Sequence, residues 1–431
     1  MDDNGHDYRI LIEGTKLAEE YTDGINRYVQ TLLKALNHQT KSGYSNMTID
    51  VKVFDEVMTL DEAMVRFLGY KPYPGNEIDE TQVVPKSQDD LGIFQKLKSL
   101  VGLTLYKIGL IGLMSRLTTI VKNVLGNNSQ RSYDLVHFTL PQIMDCWEVA
   151  TSHLVTIHDT THNSHGQFHQ PDNVRNAVKG FEMIKERQPY IHSVSEATLS
   201  DLINVYGNLK GHSRCIHEAI DDKFLQVIDK TVVNNVLECY GLVDCDYILT
   251  LATDEPRKNL ANAAKAFSIL KSDLGTVKLK FVVAGKPGWK SEKLIEHPDI
   301  IRVGYVPDEA LRVLYRQAVA FSFVSHYEGF GLPPLEAMAC GTVPVYGDNS
   351  AMREIIGVNG LAAMPQDEHD IASKFKMLVS DTSLRSEMEA AAQRHALKFT
   401  TATLGKEMAE YYLEIIKKSR TPKARFELIA D

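Results

Sequence analysis

Glu328 and Glu336 bracket a glycine-rich turn in the run His326-Tyr327-Glu328-Gly329-Phe330-Gly331-Leu332-Pro333-Pro334-Leu335-Glu336. The run follows an apolar strand pattern and opens a helix. Proline suits a first helical turn, where its missing N–H would be unpaired anyway, and Gly341 suits the left-handed position past the helix end. Gly329 and Gly331, on either side of Phe330, would let the backbone come close to a ligand, with helix amides from Leu332 onward pointing outward. Glu336 falls about one turn into that helix. Two carboxylates so placed suit a ligand's hydroxyls, while the amides and helix dipole suit its phosphates. The plainer alternative is a turn followed by an acid that favours the dipole.

Three further segments carry chemistry. In Thr253-Asp254-Glu255-Pro256-Arg257-Lys258-Asn259, two cations sit at a helix start, where the dipole disfavours them. A bound diphosphate would reverse that cost; the alternative is a solvated loop with Asp254 and Glu255 as local partners. In Tyr21-Thr22-Asp23-Gly24-Ile25-Asn26-Arg27-Tyr28, a glycine opens a helix and offers amides to an anion. No G-x-G-x-x-G occurs in the chain, which weighs against a nicotinamide or flavin cofactor. In Val155-Thr156-Ile157-His158-Asp159-Thr160, a strand ends on His158; His162, His165 and His169 follow, but the residues between them are poor helix formers. A polar loop with His158 alone reaching a cleft is the better reading than a metal site.

Short β-branched runs alternate with helical patterns on both sides of an irregular stretch at about 220–246. They predict two doubly wound α/β domains rather than one very large sheet. The expected division is 1–240, 241–400, and a C-terminal helix in 401–431 packing on either domain. Residues 55–130 read as an insertion. Within it, 91–125 is apolar with interspersed Lys96, Lys98, Lys107, Arg116 and Lys122. That is too interrupted to span a membrane and fits either core helices or a helix lying on an anionic membrane surface.

The 431 residues carry 47 Lys+Arg against 56 Asp+Glu, a net charge of −9, which makes a poor general nucleic-acid binder. Five scattered cysteines without a C-x-x-C pair argue against disulfides and a structural zinc site. With the polar, acidic start Met1–Asp7, they point to the cytoplasm, at most peripheral to the inner membrane face.

These segments resemble the retaining GT-B glycosyltransferases of family four. Glu328 and Glu336 match the E-x7-E signature, and Glu255-Pro256-Arg257-Lys258-Asn259 resembles the E-P-R-K-N block. Ala284-Gly285-Lys286, Val303-Gly304-Tyr305-Val306, Asp23–Tyr28, Thr156–Asp159 and Ser193-Val194-Ser195 agree in order. Many such enzymes carry an arginine earlier in the strand–helix loop, where this chain reads Ala252-Thr253.

The resemblance implies a fold of two facing Rossmann-like domains with the active site between them. It implies that Lys258, with Arg257, binds the donor diphosphate and Gly24 lies beside it. Glu336 then contacts the nucleotide ribose. Glu328 with Gly329, Phe330, Gly331 and Leu332 holds the transferred sugar, and His158 faces it from the acceptor side. The implied reaction is metal-independent hexosyl transfer, with no cofactor and with retention. GDP-mannose leads as donor over UDP-glucose, UDP-GlcNAc and dTDP-rhamnose. The acceptor is a saccharide hydroxyl, lipid-linked or on a surface polysaccharide. A catalytically silent binding subunit and a nucleotide-sugar epimerase are the alternatives.

Overall fold

The computed structural model describes residues 7–19, 23–70, 133–144, 146–164, 166–169, 171–207, 212–251, 255–275, 278–285 and 297–420. The expected membrane-surface segment 91–125 lies outside them. Among the described residues, no helix is long and apolar enough to cross a membrane.

The first sheet contains β1 (Tyr8–Glu13), β2 (Met47–Val53), β3 (Glu56–Thr59), β4 (Tyr133–Phe138), β5 (Ala150–Ile157), β6 (Tyr190–Ser193) and β7 (Ser213–Cys215). Its order is β3-β2-β1-β4-β5-β6-β7, parallel except for β3 against β2. The second contains β8 (Asp246–Leu251), β9 (Leu279–Ala284), β10 (Ile300–Gly304), β11 (Ala320–Phe323), β12 (Pro344–Gly347) and β13 (Leu361–Ala363), in the order β10-β9-β8-β11-β12-β13. Central strands such as β1, β4 and β9 are buried along almost their whole length, as parallel strands covered on both faces must be. In each sheet the strand order reverses beside the first strand, at β1/β4 and β8/β11. Such switch points open a crevice at the carboxyl ends of the strands.

The helices are α1 (Gly24–Ser42), α2 (Leu60–Leu68), α3 (Thr161–Ser164), α4 (Pro171–Arg187), α5 (Glu196–Tyr206), α6 (Lys230–Cys239), α7 (Leu260–Leu274), α8 (Asp308–Gln317), α9 (Leu332–Cys340), α10 (Ser350–Ile355), α11 (Glu368–Ser380), α12 (Thr382–Ala396) and α13 (Thr401–Arg420). The last of these packs along α1. Their backbones meet so closely that a Cβ on Gly405 would lie 2.6 Å from the Ala35 carbonyl oxygen.

Two stretches differ from the sequence expectation. β3 and α2 fall inside 55–130, read as insertion, yet β3 extends the first sheet and Met58, Leu60, Ala63 and Met64 join its core. A strand of four residues is too short to show a period. α6 falls in the stretch read as irregular; it is capped by the Asp229 side chain and buries no residue fully, its Val236 and Leu237 being only partly covered where they pack on the core.

Candidate active site

A cavity of about 710 Å³ opens at the carboxyl ends of both sheets. It is lined by Gly24, His158, Arg257, Lys258, Glu328, Gly329, Phe330, Gly331, Leu332 and Glu336, so the structure brings the ten sequence-selected residues to one place. Residues 252–254, and with them Asp254, lie outside the described residues.

The charges at the centre are paired. Arg257 and Lys258 occupy a 3-10 turn, Pro256–Lys258, after β8. Asn259, in the left-handed conformation with φ 57°, turns the chain into α7 and donates to the Val324 and Pro365 carbonyls. The two cations therefore point into the crevice rather than along the helix. Arg257 meets a Glu328 oxygen at 2.8 Å and Lys258 meets the other at 2.7 Å. Burial alone would raise the Glu328 pKa, but the two adjacent cations override it and hold the carboxyl at about 2. Burial lowers Lys258, whereas the acids Glu328 and Asp159 keep Arg257 above its ordinary value against burial. Arg257 is thus neutralised by Glu328 and Asp159 more than by Glu255, and Lys258 chiefly by Glu328. The Arg257 Nε is buried with no hydrogen-bond partner.

The glycines have different jobs from one another. A Cβ on Gly329 would lie 1.8 Å from the His158 carbonyl oxygen, so this glycine permits contact between the two sheet systems. Its own carbonyl accepts from Ser195 Oγ at 2.6 Å and Thr198 Oγ1 at 3.1 Å. Gly331, with φ 102°, forms the left-handed turn into α9. Gly24 opens α1 after the Asp23 cap, and a Cβ there would meet nothing within 4 Å. Pro333 and Pro334 remove two N–H groups from the first turn of α9. Anion attraction at this site consequently rests mainly on Arg257 and Lys258.

Glu336 is almost wholly buried, and burial raises its pKa. Arg27 NH1 stands 3.1 Å from one carboxylate oxygen, and Tyr315 donates to the other at 3.2 Å. Those two atoms, Arg27 NH1 and Glu336 Oε1, are charge-paired but make no properly directed hydrogen bond. A second nitrogen of Arg27 donates to Asp308 at 2.8 Å.

His158 Nδ1 lies 3.0 Å from a Glu218 oxygen and Nε2 lies 3.1 Å from the Thr139 carbonyl. Both partners are acceptors, a pairing that suits an imidazole with both nitrogens donating. Tyr28 packs edge-on at 4.8 Å and fixes the ring further. His162 and His169 stack on each other at 4.0 Å away from the cavity lining; His165 lies outside the described residues. Among the described residues, the cavity holds no three His, Cys, Asp or Glu atoms grouped closely enough for a metal.

Sequence reasoning missed Arg27, Glu218 and Asp308. Arg27 stood in a recognised run without a role. Glu218 carried no signal, since its pairing with His158 spans two loops far apart in sequence.

A family model described as Glycosyl transferases group 1 matches residues 243–395. The chain is 29% identical over 254 residues to the O-antigen chain mannosyltransferase B of Escherichia coli, covering 57% of this chain and 66% of that protein. It is 28% identical over 249 residues to the serotype-specific mannosyltransferase WbdA of Escherichia coli, covering 56% of this chain but 30% of that one. A solved glycosyltransferase from Rickettsia africae ESF-5 superposes with a TM-score of 0.61 at 15% identity, over 95% of this chain and 99% of the other. The fold is GT-B.

Proposed function

We propose that this chain, a GT-B fold whose second sheet lies in a glycosyl transferases group 1 domain, is a retaining glycosyltransferase that needs no metal. Its best-supported donor is GDP-mannose, the match to two mannosyltransferases favouring mannose. The acceptor is a saccharide hydroxyl, lipid-linked or on a growing surface polysaccharide, and the enzyme works in the cytoplasm, peripheral to the inner membrane face. One observation carries the reading: Arg257 and Lys258 converge on Glu328 within the same cavity that His158 and Gly24 enter from the other sheet.

In transfer, the bond between the sugar's anomeric carbon and the diphosphate breaks while the acceptor oxygen bonds to that carbon on the same face. The acceptor proton passes to the leaving phosphate. Negative charge grows on the diphosphate, where Lys258 and Arg257, held in place by Glu328, stabilise it. Glu328 orients both cations and accepts from sugar hydroxyls; held fully ionised, it is a hydrogen-bond acceptor and not a covalent nucleophile. Glu218 positions His158 against the transferring sugar. Glu336, with Arg27 beside it, faces the ribose.

The test is a panel of nucleotide sugars incubated with the full chain in EDTA, with released nucleoside diphosphate measured. Turnover of GDP-mannose in EDTA supports the transferase, its donor and its metal independence. Turnover of another donor changes the sugar only. Activity restored by a divalent ion overturns the metal independence, and absence of both turnover and donor-induced thermal stabilisation overturns the assignment.

A further inference from the structure

From Cys215, the last residue of β7, the chain runs on through Ile216-His217-Glu218, Ile216 N still donating to the Ser193 carbonyl at 3.0 Å. Side chains alternate. Ile216 and Glu218 turn inward, both nearly inaccessible, and Glu218 pairs with His158. Cys215 and His217 share the opposite face. There they meet Glu354, which comes from α10 of the second sheet system, so that one ligand atom from each residue lies within 4.8 Å of the others.

The surroundings hold these three groups in place. Glu354 accepts from the backbone N–H groups of Glu196 and Ala197 at 3.0 and 3.1 Å, which orients its carboxylate. The His217 ring sits between Phe330 and Phe399, at 6.0 and 5.6 Å between centroids, with Nε2 2.6 Å from Glu354. The Cys215 thiol lies among the carboxylates of Glu196, Glu354 and Glu407. Such a setting disfavours a bare thiolate but favours a cation that the thiolate would bind. His217 keeps 40% of its side-chain surface exposed, which leaves an entry path and room for a solvent ligand.

We propose that Cys215, His217 and Glu354 form a zinc-binding site on the outer face of the strand whose inner face carries Glu218. Thiolate, imidazole and carboxylate together are a zinc donor set, with three protein ligands and one open position. Tetrahedral zinc needs ligand atoms roughly 3.3–3.8 Å apart. His217 and Glu354 must therefore separate slightly, and the thiol must move in by about 1 Å, shifts within side-chain reach. Binding releases the thiol proton to solvent and joins the two sheet systems next to the active site. The donor chemistry proposed above does not use this ion. The cysteine spacing argued against a zinc site, because the third ligand of this one is supplied from far along the chain.

Cobalt(II) titrated into the chelator-treated full chain tests this through the thiolate-to-cobalt charge-transfer band. We expect a band saturating at one equivalent and bleached by zinc. It should be absent in Cys215→Ser and kept in Cys239→Ser, which removes the exposed cysteine. His217→Ala and Glu354→Gln should each weaken zinc binding at least about tenfold; they carry the test should Cys215→Ser not fold. No band in the wild type, or a band that survives in Cys215→Ser, overturns the proposal.

Discussion

Replacing Glu328 by Gln keeps volume and removes one charge where two cations converge. The carboxylate lies 2.7 and 2.8 Å from Lys258 and Arg257, and none of the three side chains is more than 16% exposed. Taking away one member of a buried ionic cluster leaves uncompensated charge and costs about 3–5 kcal/mol. The depression of the Glu328 carboxyl from 4.5 to about 2 leads to about 3 kcal/mol by a separate route. The second sheet system should accordingly melt lower by roughly 6–20 °C. A nucleoside diphosphate then supplies the missing anion, so its stabilising shift should be larger in Glu328→Gln than in the wild type. Transfer should move the other way, falling about 10²–10³-fold with the loss of an oriented acceptor and of ordered cations. Differential scanning fluorimetry with and without nucleotide, beside turnover, reads all three quantities. Equal loss of nucleotide binding and turnover, or an unchanged melting point, would refute this account of Glu328.

Gly329→Ala places a Cβ 1.8 Å from the His158 carbonyl oxygen, so one of the two loops must shift. We expect a loss of about 1–3 kcal/mol in denaturant titration together with reduced turnover; wild-type behaviour in both would show that the contact is not formed. Arg27→Met strips Glu336 and Asp308 of a shared cation 3.1 and 2.8 Å away and should cost about 3 kcal/mol, with weaker nucleotide binding by calorimetry. Acid should destabilise the wild type through its buried histidines. Burial holds His192 near 3 when folded against 6.5 unfolded, so the unfolded chain takes up the proton first and stability falls as the pH drops below about 6.5. From pH 7 to pH 5 that amounts to about 2 kcal/mol for His192, with His137 acting in the same direction; His192→Asn should flatten the dependence measured by urea titration.

Much of the fold was legible because parallel strands buried on both faces leave short continuous apolar runs, as in Ile10–Ile12 and Phe281–Ala284. The antiparallel β3 and the half-exposed α6 leave no such trace. The residues lining the candidate site were legible where a backbone feature forces the residue type, as with Gly331 and its positive φ or the prolines opening α9. Gly329 was read as making room for a ligand, yet the neighbour that excludes its side chain is the His158 backbone. Glu218, Arg27 and Asp308 escaped because each owes its place to a partner in a remote segment. Local sequence has no record of such a meeting.

The buried polar cluster beneath His158 shows how far hydrogen-bond accounting can go. Thr156 Oγ1, fully buried, has three neighbours: His137 Nε2 at 2.7 Å, His192 Nδ1 at 3.0 Å and Tyr28 OH at 3.1 Å. His192 Nε2 faces the Ile216 carbonyl at 2.8 Å and must donate, so a neutral His192 accepts at Nδ1. Thr156 supplies that proton, and its two lone pairs then take protons from His137 Nε2 and the Tyr28 hydroxyl. His137 is left accepting at Nδ1, where the Tyr412 hydroxyl donates at 2.6 Å. Tyr28 OH also lies 3.2 Å from His192 Nδ1, so two hydroxyls reach that nitrogen, and with both imidazoles neutral every ring nitrogen in the cluster has a partner. A proton added to either ring turns its acceptor nitrogen into a donor, and the facing hydroxyl must reverse direction to accept it. The same bonds run from Tyr412 on α13, through strands β4, β5 and β6, to Tyr28 on α1, whose ring supports His158. The C-terminal helix is therefore tied to the cavity wall that carries His158 by a network whose hydrogen-bond directions depend on the charge state of its histidines, and because burial disfavours that charge, acid should loosen this half of the molecule.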